Sequence, residues 1–282
     1  MTAILGGFGA ALLFSVSTLC SSRSARMVGA ASALAWVMLT GLVINVVLIA
    51  AVARPAQVSA ATIGWMGVCG AANLLGLLLA YLALSRGKVG LVAPIVSTEG
   101  AIAALVAVLA GEPLGAASAV LLAVIVGGVA LAAAAPEDLP VEGEDKTFAV
   151  AAAAAAAVCF GLNLFAVGHI SGSLPLPWVL LSPRLLGVLV LTIPLALGRR
   201  LRITRRALPL VVLGGLCEVL GTASYTLGAR HSIAVAAVLV SQFAAISTVA
   251  AYLLFRERLT RLQLAGVVTV IVGVAALSVV RA

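Results

Sequence analysis

Apolar residues run along this 282-residue chain in long unbroken stretches, not in alternation. A helix of about 20 apolar residues crosses the ~30 Å hydrocarbon core of a bilayer. Ten runs reach that length, at 2–20, 30–52, 61–84, 89–110, 115–135, 147–169, 177–197, 207–228, 233–254 and 262–280. Strands of an outer-membrane barrel would alternate with period two, so these runs predict helices. The breaks between them carry turn chemistry: Ser21-Ser22-Arg23, Arg54-Pro55, Arg86-Gly87-Lys88, Gly111-Glu112-Pro113 and Leu174-Pro175-Leu176-Pro177. The pattern therefore predicts an all-α membrane protein with ten transmembrane helices.

The pattern also repeats. Tyr81, Arg86, Ser97, Ile102, Glu112, Leu114 and Gly128-Val129-Ala130 are answered by Tyr225, Arg230, Ser241, Ile246, Glu257, Leu259 and Gly273-Val274-Ala275. The offset is 144 residues, slipping to 145 before the glutamate. The early helices align more loosely, Phe14-Ser15-Val16-Ser17 with Phe160-Gly161-Leu162-Asn163 and Trp36-Val37 with Trp178-Val179. This divides the chain into a five-helix repeat at 1–135, an acidic linker at 136–146 and a second repeat at 147–282. The linker holds five of the nine acidic residues. Five is odd, so the second repeat enters the membrane from the opposite side. The halves are expected to be inverted about a pseudo-two-fold axis in the membrane plane, with a substrate site between them.

Composition narrows the class. The chain is 63% hydrophobic and 9% charged, against roughly 25% charged in soluble domains. The net charge of +8 does not point to nucleic acid, because the basic residues sit in short loops where they orient a membrane protein. Cys20, Cys69, Cys159 and Cys217 form no CxxC pair, and His169 and His231 are too few for a metal cluster, so no metal site and no cofactor are expected. The first seven residues carry no Lys or Arg and so lack the basic region of a signal peptide; they read as the start of the first retained helix. Phosphate loops and nucleophile triads are missing from the sequence, so an enzyme is not expected and ATP hydrolysis within the chain is unsupported.

Thirteen Lys and Arg residues fall in loops after odd-numbered helices, including Arg86, Lys88 and the Arg199–Arg206 cluster. Three fall on the other side (Arg54, Arg230 and Arg281), and Arg184 lies within a helix. This bias predicts odd loops in the cytoplasm and both termini outside. The Arg199–Arg206 cluster could also meet anionic headgroups, although orientation suffices to explain it.

Three motifs carry a family resemblance: Ser241-Gln242-Phe243; the run Arg256-Glu257-Arg258-Leu259-Thr260-Arg261-Leu262-Gln263-Leu264-Ala265-Gly266; and Gly273-Val274-Ala275. Gly111-Glu112-Pro113-Leu114 with Gly128-Val129-Ala130 is a weaker copy. The chain resembles, over essentially its whole length, the EamA-type transporters of the drug/metabolite transporter superfamily. Phe14 and Phe160 replace a Trp common near the start of each repeat, and Glu99 and Ala244 lie where a mid-helix Pro is often found. The resemblance implies a ten-helix transporter with termini inside; the loop charges favour termini outside, and we follow the charges.

Glu99, Arg184 and Glu218 fall near the centres of predicted spans. Such residues cost about 2.5–3.5 kcal/mol each to insert and should face the bundle interior or a watery cavity. Their aligned partners in the other repeat are apolar: Phe243, Leu42 and Leu74. Arg184 can neutralise either acid in a structural pair, which leaves one glutamate over. Burial disfavours the charged form of a lone carboxylate, so that glutamate could carry a proton or meet a cationic substrate group. Asn163 and Gln242 join the candidates because two-headed amides can hold a polar ligand. Tyr81 and Tyr225 read as interfacial anchors. Glu112 and Glu257 read as helix N-terminal charges, and Gly127-Gly128 and Gly214-Gly215 as packing sites.

The function expected is a secondary transporter, monomeric or homodimeric, in a bacterial cytoplasmic membrane. It would export or exchange a small organic metabolite or drug-like solute, coupled to protons through Glu99 or Glu218. A lipid-carrier flippase, or a non-transporting membrane partner with structural charges, is the alternative.

Overall fold

A computed structural model describes residues 2–52, 59–99, 116–134, 145–171, 174–229, 243–255 and 260–280, with 102, 105, 106, 109 and 240. Among the described residues all regular structure is helical. In order, the helices are α1 (Thr2–Val28), α2 (Ala30–Val52), α3 (Ala60–Arg86), α4 (Val89–Val96) and α5 (Ala116–Ala134). They continue as α6 (Lys146–Ser171), α7 (Leu176–Leu197), α8 (Leu208–Ala229), α9 (Phe243–Phe255) and α10 (Arg261–Val280). Six of these, α1–α3 and α6–α8, are long and apolar enough to cross a membrane. Their outward faces suit lipid. Val43, Val46 and Val47 on α2, Leu189 and Val190 on α7, and Leu253 on α9 expose large apolar side chains, which in water would form an aggregating patch.

Local chemistry sets the helix ends. Ser59 caps α3, its Oγ accepting from the Thr62 amide at 3.1 Å. Asp145 caps α6 in the same way, its carboxylate accepting from the Phe148 amide at 2.9 Å. The Asp145 amide donates to the Arg86 carbonyl, which ties the start of α6 to the end of α3.

Two sequence expectations are corrected. Ser21-Ser22-Arg23 is not a break, because α1 runs on to Val28. The Ser21 hydroxyl donates to the Ser17 carbonyl within the helix, and Arg26 donates to the carbonyls of Leu84 (3.2 Å) and Gly87 (2.6 Å). The turn comes at Gly29, whose φ of +87° suits glycine best. The second correction concerns the run at 89–110, which is interrupted at a turn over Ser97 and Thr98. Pro94 has no amide to donate. The Ser97 and Thr98 hydroxyls donate to the Pro94 and Ile95 carbonyls at 2.8 and 2.7 Å, the kind of back-bonding that bends a helix.

The two halves interlock. α1 packs along α8, α3 along α6, and α5 along α10. On the first seam Gly6 lies so close to Gly228 that a Cβ there would sit 2.7 Å from its Cα, and Ser224 donates to the Gly6 carbonyl at 3.0 Å. Small residues at such crossings let backbones approach, which drives helix association in lipid. The Phe14 ring is seated on Gly221, and the Phe160 ring on Gly76. Ring and glycine come from opposite halves in both cases.

Candidate functional site

Between the seams lies a cavity of about 240 Å³. α1 brings Phe14, Ser17, Thr18 and Ser21 to it, at the i, i+3, i+4, i+7 spacing of one helix face. α3 brings Cys69, Asn73, Leu77 and Tyr81 at successive steps of four, and α8 brings Glu218, Thr222, Tyr225 and Thr226. The turn after α4 delivers Glu99, α6 delivers Phe160 and Asn163, and α7 delivers Arg184.

Arg184 owes its position to an irregular helix. Pro183, just before it, cannot donate to the preceding turn, and the helix widens into a π segment over Val188–Thr192. Gly41 on α2 clears the space beside it, since a Cβ there would lie 2.9 Å from Arg184 Cδ. The guanidinium is buried, with Nη2 3.8 Å from Glu218 Oε1 and Nη1 3.8 Å from the Met38 sulfur. Ser17 Oγ donates to the other Glu218 oxygen at 3.2 Å. Glu218 is thus held from α1 and α7 together.

Glu99 has no such company. Among the described residues no cation lies within ion-pair distance of it and no side chain donates to it. Asn163 is engaged, its Oδ1 accepting from the Cys69 thiol at 3.1 Å. Asn73 Oδ1 is buried without a hydrogen-bond partner among the described residues. The described charges on the cavity wall are two carboxylates and one guanidinium, a formal excess of one negative charge whenever Glu99 is ionised.

Of the residues singled out from the sequence, Glu99, Arg184, Glu218 and Asn163 share this cavity. Gln242 lies outside the described residues, as do Glu112 and Glu257. Tyr81 is corrected: it is not an interfacial anchor but is 2% exposed and lines the cavity, and Tyr225 lines it too. Their helices turn these faces inward along with Asn73 and Glu218. Asn73, a polar residue aligned with Cys217 in the other repeat and readable as a helix-to-helix hydrogen-bonding group, was not among the site candidates; the Cys69-Asn73-Leu77-Tyr81 spacing was the signal for it. The described Cys20, Cys69, Cys159 and Cys217 are all free thiols. Among the described residues no group of His, Cys, Asp and Glu could hold a metal ion.

Long apolar helices, lipid-suited outer faces and a charged internal cavity define a multi-pass helical membrane protein. The sequence says which kind: the EamA-like transporter family matches residues 1–134 and 147–279, and the chain belongs to that family. It is therefore a two-repeat membrane transporter of the drug/metabolite type and not an enzyme, working in a lipid bilayer on a small-molecule substrate. No curated protein sequence matches it significantly. A crystal structure of a protein 19% identical is similar in fold, with a TM-score of 0.67 over 99% of this chain and 98% of the other.

Proposed function

We propose that the chain is a secondary transporter that exports or exchanges a small organic solute across a bacterial cytoplasmic membrane, exchanging it for protons at Glu99. Its ten spans would form two inverted repeats, 1–135 and 147–282, joined by the acidic linker, with both termini outside. Reciprocal packing supports this arrangement: the first helix of each half lies along the third helix of the other, and each carries its phenylalanine onto the other's glycine. Alternating access would come from one bundle rocking against the other around a fixed site.

The observation that carries the proposal is the convergence of Glu99, Arg184 and Glu218 on one cavity. Ionisable groups at membrane depth mark substrate or proton paths. Glu218 is engaged by Ser17 and Arg184. This favours Glu99 as the group that gains and loses a proton, with the Arg184–Glu218 pair holding α7 against α8.

The test uses proteoliposomes loaded with a panel of labelled amines, amino acids and drug-like solutes, with and without an imposed pH gradient. At least one solute should move several-fold faster down the opposing proton gradient, and Glu99→Gln should remove that acceleration. Equal flux with and without the gradient, or gradient dependence unchanged in Glu99→Gln, would sink the coupling.

A further inference from the structure

The polar groups on the cavity wall are unequally free. Ser17, Thr18, Ser21, Ser97, Thr222 and Thr226 all donate their hydroxyl protons to acceptors within the protein, and the Cys69 thiol donates to Asn163. Among the described residues no side chain donates to the Glu99 carboxylate, and Asn73 Oδ1 is buried without a donor. A buried acceptor left without a donor carries the full cost of its lost hydration. A bound molecule with N–H groups removes that cost.

The one guanidinium is poorly placed to offset this by taking an anion. Within its pair, the Arg184 side chain is 4% accessible and that of Glu218 14%, so the cation is the less accessible partner. The rest of the wall is apolar and aromatic, with the rings of Phe14, Phe160 and Phe243. Aromatic faces attract a cation and pack against a ring or chain. At about 240 Å³ the cavity falls below the ~300–1,000 Å³ of drug-sized pockets, and it has room for about eight water volumes.

We infer that the cargo of this cavity is a small protonated primary or secondary amine with an aryl or alkyl body, its ammonium donating to Glu99 and Asn73 Oδ1. The inference rests on the transport reading above and narrows its substrate to one charge class. A carboxylate would face the excess negative charge. A zwitterionic amino acid would have to displace Glu218 from Arg184.

Calorimetry on the full chain in lipid nanodiscs at pH 7 tests this with phenethylamine, phenylalanine and phenylacetate, which share one ring and differ in net charge. Phenethylamine should bind at least about 10-fold more tightly than phenylalanine, whose carboxylate gains no free cation and leaves its hydration behind, and phenylacetate should not bind. Glu99→Gln should weaken phenethylamine by at least about 10-fold, and Asn73→Leu should weaken it without lowering the melting temperature. Comparable binding of phenylalanine or phenylacetate, an unaffected Glu99→Gln variant, or binding of none of the three would overturn the inference. The two readings fail separately. An amine that binds but does not move in proteoliposomes counts against transport alone, and proton-driven flux of solutes other than amines counts against the cargo class alone.

Discussion

Removing Arg184 should cost far more than removing the whole pair it belongs to. Its Nη2 lies 3.8 Å from Glu218 Oε1, where at an effective dielectric constant of about 20 the Coulomb attraction is about 4 kcal/mol. Both side chains are largely screened from solvent, so little of that attraction is lost to water. Desolvating two ions offsets most of it, which leaves the intact pair near neutral overall. Arg184→Leu keeps the desolvation of Glu218 and discards the attraction, at an expected cost of about 3–5 kcal/mol. Glu218→Leu strands the guanidinium beside Met38 at a similar cost. The double variant should recover to within about 1–2 kcal/mol of the parent, because an apolar pair of similar volume replaces the ions. Denaturant unfolding in detergent micelles, followed by the fluorescence of Trp36, Trp65 and Trp178 on α2, α3 and α7, would measure the cycle. A single variant losing less than about 1 kcal/mol, or a double variant as unstable as the two singles summed, would refute the reasoning.

The cross-half seams predict specific rescues. Gly221→Ala and Gly76→Ala each place a Cβ within 2.8 Å of a ring carbon of Phe14 or Phe160 and should cost about 1–3 kcal/mol; Phe14→Leu should rescue the first and not the second, as judged by melting temperature. Arg26→Leu removes two bonds to the carbonyls of Leu84 and Gly87, and hydrogen exchange in the turn between α3 and α4 should speed up by about 10-fold or more, or the clamp is immaterial.

Much of this could be read from the sequence, because membrane helices announce themselves by length and apolarity. Glu99, Arg184 and Glu218 stood out for the same reason: an ionisable residue inside an apolar run has few places to go. The break at Ser97–Thr98 was hidden because two hydroxyl residues inside a long apolar run do not by themselves end a membrane helix. It arises from Pro94 and two hydroxyl back-bonds, which are matters of geometry. The Ser21-Ser22-Arg23 stretch misled in the opposite sense, since serines that bond their own backbone do not end a helix. Tyr81 was misread because a phenol near a helix end is ambiguous until the face of that helix is fixed. The face could have been read from Cys69, Asn73 and Leu77. The Arg184–Glu218 partnership needed coordinates, since nothing in the spacing chooses between the two acids.

Phe14 on Gly221 and Phe160 on Gly76 give the two seams like chemistry. Both contacts are made at once, so opening either seam alone would lift one ring off one glycine at a like cost, and the two singly opened arrangements would differ little in energy. Starting from parity, about 2.7 kcal/mol of differential binding moves a two-state protein to 99:1, half of what a 1:99 start demands. On the proposed mechanism the molecule would act as a balance with matched pans. Its tilt is set by the residues that have no counterpart in the other half, Glu99, Arg184 and Glu218, and by whatever proton or cargo they hold.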